Sequence, residues 1–209
     1  MSDDCCSSKG KELESLARQS EQRRVLVIVL LINAIMFVAE FGAGVIAGST
    51  ALMADASDML GDALVYGVSI YALSRSDRWK AGAAAFKGFF ILLLALGIVV
   101  NIIIKVNSGV PPSSALMLIF GGAALVANLT CLALLWRFKT QDVNMASTFE
   151  CSRNDVISNV GVLVAAFAVS AFASPWPDIL IGALMAVIIF RSSLRVLTDA
   201  IPQLRTERA

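Results

Sequence analysis

The sequence contains no histidine, so any metal site it builds must draw on carboxylate, thiolate, amide or backbone oxygen. It is also short of charge. Only 16% of its 209 residues are Asp, Glu, Lys or Arg, against 57% hydrophobic, and mean hydropathy is +0.77. A soluble domain of this composition would expose much of its apolar surface to water, whereas a bilayer accepts that surface. One membrane-embedded domain is therefore expected. The 17 basic residues are balanced by 16 acidic ones, which excludes the clustered unpaired cations of a nucleic-acid-binding surface. No secretory signal is expected, because the first two dozen residues are too polar and no apolar core directly follows a basic start. Nor is there a disulfide framework. Cys5 and Cys6 are adjacent on a polar tail, and Cys131 and Cys151 lie in apolar segments, so reduced thiols are expected.

What the chain has in abundance is long apolar stretches. Six reach the roughly 20 residues needed to cross a hydrocarbon core, at about 25–47, 50–73, 81–104, 114–136, 144–172 and 178–197. The breaks fall at Gly48-Ser49, at the charged run from Arg75 to Lys80, at Gly109 to Pro112, at Arg137 to Asp142 and at Pro175 to Pro177. Lys9, Lys11, Arg18, Arg23, Arg24, Arg75, Arg78, Lys80, Arg137, Lys139, Arg205 and Arg208 all fall on one side of this arrangement, and the opposite loops hold only Lys105. The positive-inside rule then places both termini in the cytoplasm. The expected fold is an all-α membrane protein, a six-transmembrane-helix bundle in the cell membrane. Residues 1–24 form a cytoplasmic N-terminal segment, either a surface amphipathic helix or a disordered tail. Residues 25–197 form the bundle, and 198–209 are a short cytoplasmic tail with no room for a C-terminal domain.

The second span contains Asp55, Asp58 and Asp62 among small and apolar residues. A charge near the bilayer centre costs on the order of 3 kcal/mol even on the lenient insertion scale, which makes such acids functional candidates. Their spacing of three and four residues puts all three on one helix face. In the fifth span Cys151 and Asp155 are again four apart, and Asn159 extends that face by a turn. Two helices that each offer an i, i+4 pair supply four ligands, the usual number for a zinc-like ion. The candidate metal site is Asp58, Asp62, Cys151 and Asp155. The bland alternative is a polar packing network or a proton relay without metal.

At these residues the sequence resembles the cation diffusion facilitator family over about residues 25 to 200. Asn33, Glu40, Gly44, Ser49, Ala51-Leu52, Ala54 to Ala56, Asp58 and Asp62 look like the family's first signature. Asn128, Asn144, Ser147, Cys151, Asp155 and Gly161-Val162 look like its second. The resemblance implies a six-helix domain that binds divalent metal between its second and fifth helices. It further implies efflux of zinc-class divalent cations, a cargo that the softer Cys151 thiolate extends toward cadmium, lead or mercury. There are two departures. Family members commonly have His at one or both positions matching Asp58 and Cys151, and a thiolate there shifts preference toward softer ions. The cytoplasmic C-terminal domain, through which most relatives dimerise and sense metal, is not expected from the short stretch after residue 197, and a homodimer is what the resemblance alone implies.

Several residues keep two readings each. Asp55 is an outer-shell ligand, a pathway carboxylate or a helix-packing acid. Glu40 either supports Arg153 or Asn159 or carries protons in a cavity, and Asn33 and Asn159 are outer-shell or pathway candidates. Arg153 faces away from Cys151 and Asp155, toward Glu150 at i, i+3. Cys131 is packing, and Cys5 and Cys6 either capture soft metal or do nothing. Because metal ligands must be deprotonated to bind, the expected cycle is metal/proton antiport by alternating access, without a resident cofactor. The alternatives are a membrane metal sensor or scaffold without turnover, and an intramembrane metal-dependent enzyme. No Arg or Lys lies near Asp55 to Asp62 in the second span to bind a phosphate, which disfavours the enzyme.

Overall fold

The computed structural model describes residues 3–72, 77–140 and 143–206, with side chains for 20–64, 66–67, 82, 85–140, 145 and 148–198. The side chains of Cys5, Cys6, Asn144 and Ser147 lie outside the described residues, as do many of the basic side chains used for orientation. Among the described residues the chain forms six helices: α1 (Asp3–Ala47), α2 (Thr50–Ala72), α3 (Asp77–Ser108), α4 (Ser114–Trp136), α5 (Val143–Phe172) and α6 (Trp176–Thr206). The all-α bundle expected from the apolar runs is what the chain builds. Among the described residues, five stretches are long and apolar enough to cross a membrane: Ser20–Ala47, Ala85–Ser108, Ser114–Trp136, Thr148–Phe172 and Trp176–Thr198. The sixth helix, α2, holds the three aspartates and sits innermost, against α1, α3, α5 and α6. Around it, α1 packs on α4, α4 on α5 and α3 on α6. Ile35, Val38, Ile119, Phe167 and Ile188 point outward and are exposed, as lipid-facing side chains must be.

Each turn at one end of the bundle is specified locally. Gly48, at φ +65°, closes α1 with a Schellman motif: Ser49 N donates to Gly44 O at 2.8 Å and Gly48 N to Val45 O at 3.2 Å. Gly109, at φ +63°, ends α3 with a single bond to Lys105 O at 3.0 Å. Ser113 follows Pro111-Pro112 and caps α4 by accepting from Leu116 N at 3.5 Å, while its own amide donates to Ala47 O at 2.9 Å. That last bond ties the start of α4 to the end of α1.

The start of α2 is held by a residue from far along the chain. Asp178, fully buried in the first turn of α6, accepts from Thr50 N at 2.8 Å, Ala51 N at 3.1 Å and Ser49 Oγ at 2.6 Å. Ser49 Oγ in turn accepts from Leu52 N at 3.1 Å. The first three amides of α2 are thus satisfied by two side chains, and the carboxylate sits where the helix dipole favours negative charge. Lys105 of α3, 6% exposed, pairs with the same carboxylate and also donates to Gly48 O. Thr50 Oγ1 donates to Asn101 Oδ1 at 3.0 Å, which adds a second link to α3. The close approach needs Gly182, because a Cβ there would lie 2.7 Å from Thr50 Cγ2 and 2.9 Å from its backbone carbon. Sequence reading placed Lys105 in a loop, and it is instead a buried helical residue with a partner.

Removing one partner of such a buried pair costs about 3–5 kcal/mol, because the other charge is left unpaired. Asp178→Ala is therefore expected to lower the thermal midpoint of the detergent-solubilised protein clearly, with Asp178→Asn falling between it and wild type. Gly182→Val forces α6 off the α2 terminus, and overpacking of this kind costs about 1–3 kcal/mol or more. Midpoints unchanged in a fluorescence melt of either variant would show that this junction does not hold the bundle.

Candidate metal centre

The α2 acids lie on a face that turns toward α5. Asp55 is 2% exposed, while Asp58 and Asp62 are half-buried. On α5, Asn159 and Asp155 are buried at 0% and 6%, and Cys151 is exposed at the margin. Moving along α2 from Asp55 to Asp62 means moving back along α5 from Asn159 to Asp155. The two helices therefore meet antiparallel, and both i, i+4 pairs reach the same region. Asn159 Nδ2 donates to Asp55 Oδ2, and Asn159 Oδ1 accepts from Asn128 Nδ2 at 2.9 Å. This ladder joins α2, α5 and α4 on the side nearer the capped turns. One level further in, the Asp62 and Asp155 carboxyls lie close enough to share a hydrogen bond once one of them holds a proton. Tyr66 donates to Asp62 Oδ2 at 2.9 Å, fixing that side chain from one turn along α2.

Asp58, Asp62, Cys151 and Asp155 all interact electrostatically, so the sequence-derived set occupies one neighbourhood. Among the described residues, no three acidic or cysteine side chains stand at metal-ligand distances. Asp58 and Asp62 of α2 and Cys151 and Asp155 of α5 thus face one another where the two helices meet. The side chains present offer hard carboxylate oxygens and one soft sulfur, that of Cys151 at the exposed margin.

The surrounding candidates resolve as follows. Glu40 of α1 is fully buried beside Asp55, and neither of its carboxyl oxygens has a hydrogen-bond partner. Asn159 is engaged with Asp55 and Asn128 rather than with Glu40. Arg153 donates to Glu150 at 3.1 Å, both about half exposed and away from the site. Asn33 Nδ2 donates to Val29 O at 2.9 Å and approaches Cys131 Sγ at 3.9 Å, and its Oδ1 has no partner. Cys131 packs with Val29, Tyr66, Leu135 and Phe138, as a buried small side chain does. It also lies within electrostatic reach of Asp155 and Asp62.

Two groups at the site escaped sequence reading. Tyr66 lies one turn beyond Asp62, a spacing that would have paired them. Lys87 of α3 acts electrostatically on Asp58, Asp62 and Cys151. Its signal was a lone lysine near the start of an apolar run, which is as costly in lipid as a lone acid.

Comparison with known proteins adds an independent line. The cation efflux transmembrane domain family matches residues 26–205. The chain is 24% identical over 198 residues to the metal cation efflux system protein CzcD of Cupriavidus metallidurans, covering 86% of this chain and 63% of that protein. It is 26% identical over 206 residues to the zinc transporter ZitB of Yersinia pestis, with coverages of 92% and 66%. A cadmium, cobalt and zinc/H(+)-K(+) antiporter of Bacillus subtilis is 23% identical over 196 residues, with coverages of 87% and 63%. The chain thus spans a little under two thirds of the length of these relatives. With the family's match extending from the first apolar span through α6, and six helices packed around one cluster of acids and a thiol, this multi-pass membrane protein belongs to the cation efflux transmembrane domain family.

Proposed function

We propose that the chain exports divalent heavy-metal cations across the cell membrane, in exchange for protons. The observation that carries this reading is the facing of Asp58 and Asp62 on α2 with Cys151 and Asp155 on α5, within a bundle of predominantly apolar helices. The names of the three relatives, which are efflux proteins or transporters, support it. In this reading the four side chains are the ligands of the transported ion. Asp55 and Glu40 lie on the far side of them from the termini, where a departing ion would pass, and Asn159 and Asn128 hold Asp55 in place.

The chemistry follows from the donors. A carboxylate or thiolate binds metal only when deprotonated, so a divalent ion and protons compete for the same atoms. Metal arriving from the cytoplasm displaces protons from Asp58, Asp62, Asp155 and Cys151, and protons arriving from outside displace the metal. Lower pH on the receiving side therefore favours release, and apparent affinity falls as pH falls. The conformational step is a displacement of α2 against α5 that exposes the donors to one side and then the other. A thiolate among carboxylates tilts selectivity from zinc toward cadmium, lead or mercury.

The direct test is metal flux into everted vesicles containing the full chain. An imposed proton gradient is expected to drive cadmium and zinc uptake in wild type. Asp155→Ala should reduce that uptake about 100-fold or more, since it removes a charged ligand from a low-dielectric site. Uptake that ignores the gradient would rule out proton exchange, and ion retention without uptake would favour a sensor or scaffold. Cys151→His replaces the soft donor by a borderline one, so the ratio of cadmium to zinc flux is expected to fall by about tenfold. An unchanged ratio would remove Cys151 from the ligand set.

A further inference from the structure

The apolar run of α3 carries two lysines, and the structure treats them differently. Lys105 is paired with Asp178 and Gly48 O. Lys87 is half-buried, and its ammonium contacts no carboxylate among the described residues. Its charge acts at longer range on Asp62, Cys151 and Asp58. Packing explains why. Gly61 of α2 lies against Ile91 of α3, so closely that a Cβ on Gly61 would sit only 3.2 Å from Ile91 Cδ1. Lys87 precedes Ile91 by one turn on the same face of α3, and because α2 and α3 run antiparallel it lies level with the turn of α2 that follows Gly61, within electrostatic reach of Asp62. On its other side, Gly88 lies under Leu197 and Val196 of α6, where a Cβ would meet their side chains at 3.0 and 3.2 Å, and these offer no competing charge.

We propose that Lys87 is a tethered counter-cation of the α2–α5 site, which balances its acids in the absence of metal and weakens the hold on a divalent ion enough for the ion to leave. The inference rests on the metal-exporting reading and deepens it. Three carboxylates in a low-dielectric setting attract a divalent cation strongly, and a site that binds too tightly does not turn over. A tethered positive charge within electrostatic reach of those acids opposes the incoming ion and limits that grip. Lysine suits the task, because its compact charge rides on a flexible four-carbon stem that can withdraw as metal arrives.

The test uses the full chain in detergent, with cadmium titrated calorimetrically at one fixed, mildly alkaline pH. Lys87→Gln and Lys87→Met are both expected to bind cadmium about tenfold or more tighter than wild type, because each removes a repelling charge. Lys87→Arg keeps the charge and should stay within about twofold of wild type. In vesicles the two neutral variants should transport more slowly despite tighter binding. Damage to packing would weaken binding, so a gain in affinity is not what a purely structural role predicts. Affinity that is unchanged or lower in both neutral variants, or raised equally in Lys87→Arg, overturns the inference while leaving the metal site standing. Wild-type protein that retains no cadmium overturns both.

Discussion

Every ionised group inside this bundle must find compensation within the protein, because lipid offers none. That requirement organises the structure. Asp178 meets it most completely. One carboxylate supplies the missing acceptors for the first amides of α2, accepts from Ser49 and neutralises Lys105, so segments from distant parts of the chain are fastened at one point. Fixing the start of α2 in this way sets where its three aspartates fall along the bundle.

From that anchored end α2 runs inward, and its acids meet partners of decreasing completeness. Asp55 is hydrogen-bonded into the Asn159–Asn128 ladder, a polar tie between helices. Asp62 has Tyr66 on one side and Asp155 on the other, and Asp58 has only longer-range neighbours. The under-compensated acids are thus gathered where α2 faces α5. A divalent ion is the kind of charge that would complete them. Small residues permit the geometry: a Cβ on Gly44 would lie 3.0 Å from Met53 N, so α1 can press against α2 only because none is there.

The six helices, and the spacing that puts Asp55, Asp58 and Asp62 on one helix face and Cys151 and Asp155 on another, were legible in the sequence, because both depend on short-range periodicity. Apolar runs of spanning length identify helices without knowledge of their neighbours, and i, i+4 spacing fixes which side chains share a face. The Glu150–Arg153 pair was legible for the same reason. What sequence alone did not supply were contacts between residues more than a hundred positions apart, such as Asp178 with Thr50 or Asn159 with Asp55. Lys105 and Lys87 were misjudged or missed for a related reason. A lysine near the end of an apolar run reads as snorkelling or loop, and only the packing of α3 against α2 and α6 turns each toward an acid.

The central claim is that acids of α2 and acid and thiol of α5 enclose one ion together. X-ray absorption at the cadmium edge of the metal-loaded protein addresses it directly, by comparing wild type with Cys151→Ser and Asp62→Asn. The account predicts a mixed shell of oxygen with a single sulfur. That sulfur should vanish in Cys151→Ser, and the oxygen shell should shrink in Asp62→Asn. A shell of oxygen alone in wild type, or one untouched by both substitutions, would contradict it.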